Sequence, residues 1–320
     1  METVKLGRTR LQVTPIAYGT WQFGGEWGEI EERSAIDSIH HARELGINIF
    51  DTAQGYGFGT AERLLGRALE GETDQVVIAT KGGLRMDGEK LVRDSSPAWL
   101  RQGVEESLTA LGVDHIDIYQ VHWPDPRTPP QETAAALWNM VDEGLVHHVG
   151  VSNFDTEQMR AFSAERQVEV LQPPYHLFHR DIEAEVLPYA AEHDMGVLAY
   201  GPLAHGLLGG GFDEKTTFPA NDWRSASPDF TGGTFRRNLE AVGELRRFAE
   251  ERGATVGQIA VAWVLAHPAV QVAIVGSRRP AHLAETVSAL DVRLDEKDLA
   301  RIDELMAGAV PIRAPSPEGT

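Results

Sequence analysis

Eight short apolar runs recur along this 320-residue chain: IAYGTW (16–21), INIFD (47–51), VVIATK (76–81), IDIYQVH (116–122), VHHVGVS (146–152), VEVLQ (168–172), MGVLAY (195–200) and VAIVG (272–276). They are rich in β-branched residues and mostly continuous rather than alternating, as strands buried on both faces are. Stretches with apolar residues three to four apart lie between them, at 32–45, 60–70, 97–111, 131–143, 156–165 and 181–194, and further helices are expected at 235–252, 255–267, 280–289 and 296–307. Repeated strand–helix alternation predicts a parallel sheet, and right-handed crossovers curl successive strands the same way. The expected fold class is α/β, a (β/α)8 TIM barrel forming a single domain over residues 1–320. A doubly wound open sheet is the runner-up. It usually shows a glycine-rich nucleotide turn after its first strand, and none follows residues 16–21.

Reactive residue types close these runs one after another: Asp51, Lys81, His122, Ser152 with Asn153, Gln172, Tyr200, and Ser277 with Arg278. The C-terminal ends of the strands in a parallel barrel open onto one face, and such barrels do their chemistry there. Residues more than two hundred positions apart are thereby expected to share one pocket.

Three further features stand outside the alternation. Val4 and Leu6 are expected to pair with Leu11 and Val13 across Gly7-Arg8-Thr9, an N-terminal β-hairpin. Ser96-Pro97 reads as a helix cap followed by a first-turn proline. Residues 201–234, after the seventh run, are rich in glycine and aromatics and too long for an ordinary connection, as functional lids or disordered segments are. The tail from Pro311 is expected to be loose.

Composition narrows the function. With 29 Lys+Arg against 48 Asp+Glu the formal charge is −19, which repels nucleic acid and anionic membranes over the general surface. There is no cysteine, so neither disulfides nor thiolate chemistry enter. The start METVKLGRTR lacks a signal peptide's apolar region and no apolar run is long enough to span a bilayer, so a soluble cytoplasmic protein is expected. Neither a P-loop nor a serine nucleophile elbow is found. Among the 12 histidines, His40-His41 and His147-His148 are adjacent pairs that do not face one way, so no metal site is read from them.

Asp51, Tyr56, Lys81 and His122 form the central candidate catalytic set. Taken singly, a strand-end Asp is an ordinary turn residue and a Lys after a strand ordinarily meets solvent. Together, at three strand ends of one barrel, they make a specific combination. An ammonium about 4 Å from a phenol oxygen stabilises the phenolate by roughly 4 kcal/mol at an effective dielectric near 20. Lys81 is therefore expected to make Tyr56 a usable general acid near neutral pH, with Asp51 orienting Lys81 and His122 fixing a substrate carbonyl. Trp21, Phe23, Trp27, Phe58 and Trp123 are expected to shape an apolar substrate pocket with Tyr56 and His122, Trp21 and Trp123 foremost.

The segment GINIFDTAQGYGFGTAERLLGRAL (46–69) resembles the signature of the aldo-keto reductases, in particular their bacterial branches. ATKGG (79–83), YQVHWPD (119–125), GVSNF (150–154), LQPPYH (171–176), AYGPLAHGLLGG (199–210) and VAIVGSRRPAHLAET (272–286) resemble further blocks of that family in the same order. The resemblance implies reversible, NADPH-dependent reduction of aldehydes or ketones, with Tyr56 as proton donor, Lys81 and Asp51 tuning it, and His122 orienting the substrate. It implies NADPH/NADP+ rather than NADH, resting mainly on Arg278.

The same resemblance assigns cofactor contacts. Ser152, Asn153 and Gln172 would hold the carboxamide, and Tyr200 would stack on the nicotinamide. Gly201, Pro202, Leu203 and Gly206 would run past the pyrophosphate. Ser277 and Arg278 would meet the 2′-phosphate and Glu285 the adenine, with Thr20, Trp21, Gly276, His282 and Thr286 also beside the cofactor. An amide needs partners that donate and accept, an aromatic face suits a flat heterocycle, and Arg suits phosphate. The chain departs from the family at Gly209-Gly210-Gly211, where Thr-Gly-Lys is common, with Lys215 or Arg224 as candidate substitutes. His282 and Thr286 also replace a usual Gln and Asn. The expected partner is a small carbonyl compound, with no nucleic acid, membrane or obligate protein partner. Two other readings are a cofactor-sensing regulatory subunit and a metal-dependent barrel hydrolase. The complete catalytic set argues against the first and the lack of a ligand cluster against the second.

Overall fold

The period-two geometry of eight parallel strands decides which side chains meet at the centre of this molecule. A computed structural model describes residues 1–25, 27–28, 31–277 and 280–312 of the chain. Its barrel strands are β1 (Ile16–Gly19), β2 (Ile49–Asp51), β3 (Val77–Gly82), β4 (Ile116–Val121), β5 (Val146–Ser152), β6 (Val170–Gln172), β7 (Gly196–Tyr200) and β8 (Val272–Val275). They pair in chain order, all parallel, and Ala273 of β8 pairs with Ile16 of β1 to close the barrel. The (β/α)8 barrel expected from the sequence is therefore the fold.

Among the described residues ten α-helices accompany the strands: α1 (Glu32–Glu44), α2 (Thr60–Ala68), α3 (Pro97–Leu111), α4 (Pro130–Asp142), α5 (Thr156–Phe162), α6 (Val186–Glu192), α7 (Gly232–Glu250), α8 (Val256–Ala266), α9 (Pro280–Val287) and α10 (Glu296–Met306). The Ser96 hydroxyl accepts from Trp99 N–H and Pro97 opens α3, as the cap signal predicts. The helix expected over 181–194 divides instead into a turn at Asp181–Glu183 and a later α6. Pro188 then falls in the first turn of α6, where its missing N–H breaks no intrahelical bond. No helix among the described residues is long and apolar enough to cross a membrane.

Alternation sorts the strands into two cores. Ala17, Ile49, Val77, Ala79, Ile118, Val170, Leu198, Val272 and Ile274 pack on the barrel axis. Their neighbours Tyr18, Phe50, Ile78, Tyr119, Val149, Leu171, Val197 and Ala273 pack outward against the helices. One step of two beyond the axial residues, toward the C-terminal ends, lie Gly19, Asp51, Lys81, Gln120, Gln172, Tyr200 and Gly276. The fold thus delivers that layer to one mouth.

The hairpin closes the other end. Val4 pairs with Val13 and Lys5 with Gln12, and Leu6 N–H donates to Leu11 O at 3.1 Å. Gly7 has φ +47°, and a Cβ there would stand 2.1 Å from Gly196 N, so the turn requires glycine against β7. Leu6 is fully buried and belongs to the axial core. A second hairpin, Leu84–Asp87 with Lys90–Arg93, was not expected. Its signal is Asp87-Gly88, with Gly88 at φ +64° as a two-residue hairpin turn demands.

The segment after β7 is an ordered strap, with short helical turns at Trp223–Ser225 and Pro228–Phe230. A β-bridge joins Trp27 to Asp222, and the Trp21 and Trp223 rings stack with centroids 6.2 Å apart. The Arg224 guanidinium lies 4.7 Å from the Trp27 ring centroid and 4.4 Å from that of Phe218.

Truncating Leu6 to Ala should open a cavity at the barrel floor and cost about 2–5 kcal/mol in urea unfolding. A loss below about 1 kcal/mol would mean that the hairpin does not seal the core.

Candidate active site

Lys81 is 1% exposed, and an ammonium so buried must be surrounded by acceptors. Its Nζ donates to Asp51 Oδ1 at 2.7 Å, to the Thr52 carbonyl at 2.9 Å and to the Tyr56 phenol oxygen at 3.2 Å. Asp51 ends β2 and Lys81 stands near the end of β3, whose pairing sets Asp51 against Ala79. Tyr56 follows from the turn between β2 and α2. His122 directly follows β4, and its ring meets that of Tyr56 edge to face with centroids 5.7 Å apart. The four residues nominated from the sequence are therefore brought together, all nearly buried.

A polar layer continues around the mouth. Gln172 Nε2 donates to Asp51 Oδ2 at 2.7 Å, so both carboxylate oxygens of Asp51 are engaged. Ser152 Oγ donates to Gln172 O at 2.9 Å. Asn153 has φ +63°, a left-handed conformation that asparagine tolerates better than most residues. Its amide nitrogen donates to His122 O at 2.9 Å, and its oxygen accepts from the Tyr200 hydroxyl at 2.8 Å. Ser152, Asn153, Gln172 and Tyr200 are thus locked to one another and to the catalytic set.

These side chains line a cavity of about 450 Å³. Trp21, Trp27, Tyr56, His122 and Trp123 wall its inner part, and Gly201, Pro202, Leu203, Gly206, Gly209 and Gly211 form one flank. Gly276, Ser277, His282 and Thr286 lie at its outer end. At Gly276 a Cβ would stand 2.4 Å from Gln22 Oε1, so a larger residue there would require the Gln22 side chain to shift. An aromatic face, a fixed set of polar groups that can donate and accept hydrogen bonds, and a glycine-lined channel in one continuous cavity suit an extended dinucleotide.

Several of the expected residues lie off the cavity lining. Thr20 is fully buried, donates its hydroxyl to Asp51 O at 3.1 Å and does not line the cavity. Glu285 is exposed on α9 and lies off the lining. Phe23 is buried in the outer core, while Phe58 borders a separate crevice between α2 and α3. Around Thr20, Phe23 and Phe58 the connecting segments turn the side chain away, which spacing alone does not reveal. Arg278 lies outside the described residues. Of the two candidate replacements for a lysine at Gly211, Lys215 is exposed and off the lining, whereas Arg224 reaches the cavity. Arg224 is forked onto Asp222, at 2.9 Å from Nε and 2.6 Å from Nη2, and also donates to His205 O at 3.0 Å.

His205 was missed by the sequence reading. It borders the cavity, enclosed by Trp21, Trp27, Trp223 and Phe230. Burial, then the Arg224 charge, pushes its imidazole down to about 4, so it is neutral near pH 7. Burial likewise drives His176 well below the usual histidine range, and its Nδ1 accepts from Phe178 N–H at 3.2 Å. Behind Lys81, burial raises the carboxyl of Glu62, while the Thr80 hydroxyl, at 2.6 Å from Oε1, opposes the shift.

A closed parallel barrel carrying a lysine-backed phenol at its C-terminal mouth defines the class, an oxidoreductase built on a (β/α)8 scaffold. The family model for the aldo/keto reductase family matches residues 15–307. Aldo-keto reductase YhdN of Bacillus subtilis (strain 168) is 38% identical over 314 residues, 97% of this chain and 95% of that protein. The NADH-specific methylglyoxal reductase of Escherichia coli (strain K12) is 30% identical over 322 residues, 95% of this chain and 98% of that protein. The solved structure of the glycerol dehydrogenase AKR11B4 from Gluconobacter oxydans superimposes with a TM-score of 0.89 at 39% identity, covering 98% of each chain. The chain belongs to the aldo/keto reductase family, whose members are carbonyl-reducing oxidoreductases that use nicotinamide cofactors.

Replacing Asp51 by Ala should strand the Lys81 ammonium and the Gln172 amide. The expected loss is about 3–5 kcal/mol in chemical denaturation. Adding Lys81→Met should restore part of it, and failure of the double variant to recover would show that the pair is not coupled.

Proposed function

We propose that this chain reduces aldehydes and ketones to alcohols with NADPH, reversibly, with Tyr56 as the general acid. The observation that carries the reading is the 3.2 Å contact from Lys81 Nζ to the Tyr56 oxygen, in a pocket where Asp51 and Thr52 hold the ammonium in place. A reduced nicotinamide, when bound, supplies the hydride. Ser152, Asn153 and Gln172 bind its carboxamide, with orientations already fixed by their mutual hydrogen bonds, and Tyr200 offers its ring face. His122 positions the carbonyl oxygen beside Tyr56. Tyr56 then gives its proton to the developing alkoxide, and the adjacent Lys81 charge stabilises the phenolate left behind. Trp21, Trp27 and Trp123 exclude water from the reacting carbon and favour small apolar or amphipathic carbonyl compounds.

The preference for NADPH over NADH rests on Ser277 at the outer end of the cavity and on Arg278, next in the chain, whose charge and fork suit a 2′-phosphate. The NADH-specific relative makes this the point where family membership gives no answer. The reading assigns the enzyme to the cytoplasm and to small-molecule substrates, without nucleic acid, membrane or an obligate protein partner. The net charge of −19 disfavours nucleic acid and anionic membranes as partners.

Tyr56→Phe should lower turnover of an aldehyde panel, followed at 340 nm, by on the order of 10²–10⁴ while cofactor still binds. Near-normal reduction by that variant would remove Tyr56 from the mechanism. Arg278→Ala should weaken NADPH much more than NADH in fluorescence titrations; equal weakening would count against 2′-phosphate recognition.

A further inference from the structure

The opposite end of the barrel carries a second cluster of titratable side chains that carbonyl reduction does not use. β4 and β5 pair with Ile116 beside Val146, which sets Asp117 beside His147. His115 stands two residues before Asp117 and shares its face of the strand. The His115 and His147 rings stack with centroids 4.0 Å apart. Asp117 Oδ2 accepts from Ile78 N–H at 2.8 Å. Its Oδ1 lies 3.9 Å from His115 Nε2 and 3.9 Å from His147 Nδ1, beyond hydrogen-bond length for both. None of the three donor atoms is more than 4.8 Å from another. His148, the other member of the adjacent pair, is turned to Glu169, with Nδ1 at 3.1 Å from Oε2.

We propose that His115, Asp117 and His147 form a binding site for a divalent transition-metal ion, Zn2+ or Cu2+, which clamps β4 to β5 at the barrel floor. Two imidazoles and one carboxylate are a borderline donor set that favours these ions over Mg2+ and Ca2+. Metal–ligand bonds of about 2.0–2.2 Å draw tetrahedral ligands to roughly 3.4 Å of one another. Small rotations of two imidazoles that are 39% and 47% exposed close the difference, because neither is locked in the core. The carboxylate is already oriented by the Ile78 N–H, as a ligand supported from behind should be. Water completes the coordination on the solvent side. The site lies about 23 Å from the catalytic mouth, judging from the seven residue steps from His115 to His122 at about 3.3 Å each.

The full chain, without a histidine tag and stripped by chelator, should take up one tightly held equivalent of Zn2+ in calorimetric titration. His115→Ala/His147→Ala should weaken that binding by roughly tenfold or more with an unchanged far-ultraviolet circular dichroism spectrum. On the wild-type chain, Cu2+ should give an electron paramagnetic resonance spectrum with coupling to two imidazole nitrogens, and His147→Ala should leave one. Zn2+ affinity unaltered by the double substitution, or a Cu2+ spectrum without nitrogen coupling, overturns the site. The wild-type spectrum decides the matter even where a variant fails to fold.

Discussion

A lysine ammonium buried to 1% exposure is the constraint around which the centre of this protein is organised. Removing such a charge from water costs several kcal/mol, and only well-placed acceptors offset that cost. Lys81 has three: a carboxylate, a main-chain carbonyl and a phenol oxygen. The carboxylate is in turn steadied by Gln172 from β6, which also accepts at its carbonyl from Ser152 of β5. Asn153 ties that group to His122 and Tyr200. An ion pair, a phenol and the polar side chains of Ser152, Asn153, Gln172 and Tyr200 therefore form one hydrogen-bonded network at the barrel mouth, in which each group limits the orientation of the next.

This network exists because the strands obey a period of two. Val77 and Ala79 fill the axis below, and Lys81, the next residue of the same parity, emerges above them. Ile49 precedes Asp51 in the same way, and Val170 precedes Gln172. A slip of one residue in any of these strands would turn its polar group into the apolar layer beneath the helices. Apolar packing below and polar chemistry above are consequences of one register.

The strap after β7 adds what the barrel cannot. Its Trp223, Arg224 and Asp222 engage Trp21 and Trp27, joining the loops that follow β1 and β7, and Arg224 also donates to His205 O within the same segment. Glycines then keep the channel beneath it open, Gly276 because a side chain would strike Gln22. Arg224 brings a guanidinium to the channel, but Asp222 already neutralises much of its charge. An anionic ligand would therefore meet a positive group held in place rather than a free one.

The strand runs, the order of the helices, the Ser96 cap and the N-terminal hairpin were legible in the sequence because each follows from local spacing and residue type. The gathering of Asp51, Tyr56, Lys81 and His122 was legible because a parallel barrel has only one C-terminal rim. What the sequence alone could not decide was where loop residues turn. Thr20 and Phe23 fold inward, Phe58 faces another crevice, and His205 comes to the cavity through a strap whose path depends on contacts with Trp21 and Trp27. Nor could it pair His147 with His115 and Asp117, since adjacency along one strand carries no information about the strand beside it. Local chemistry determined which residues were available; long-range register and loop packing, which depend on the whole chain closing on itself, determined which of them touch.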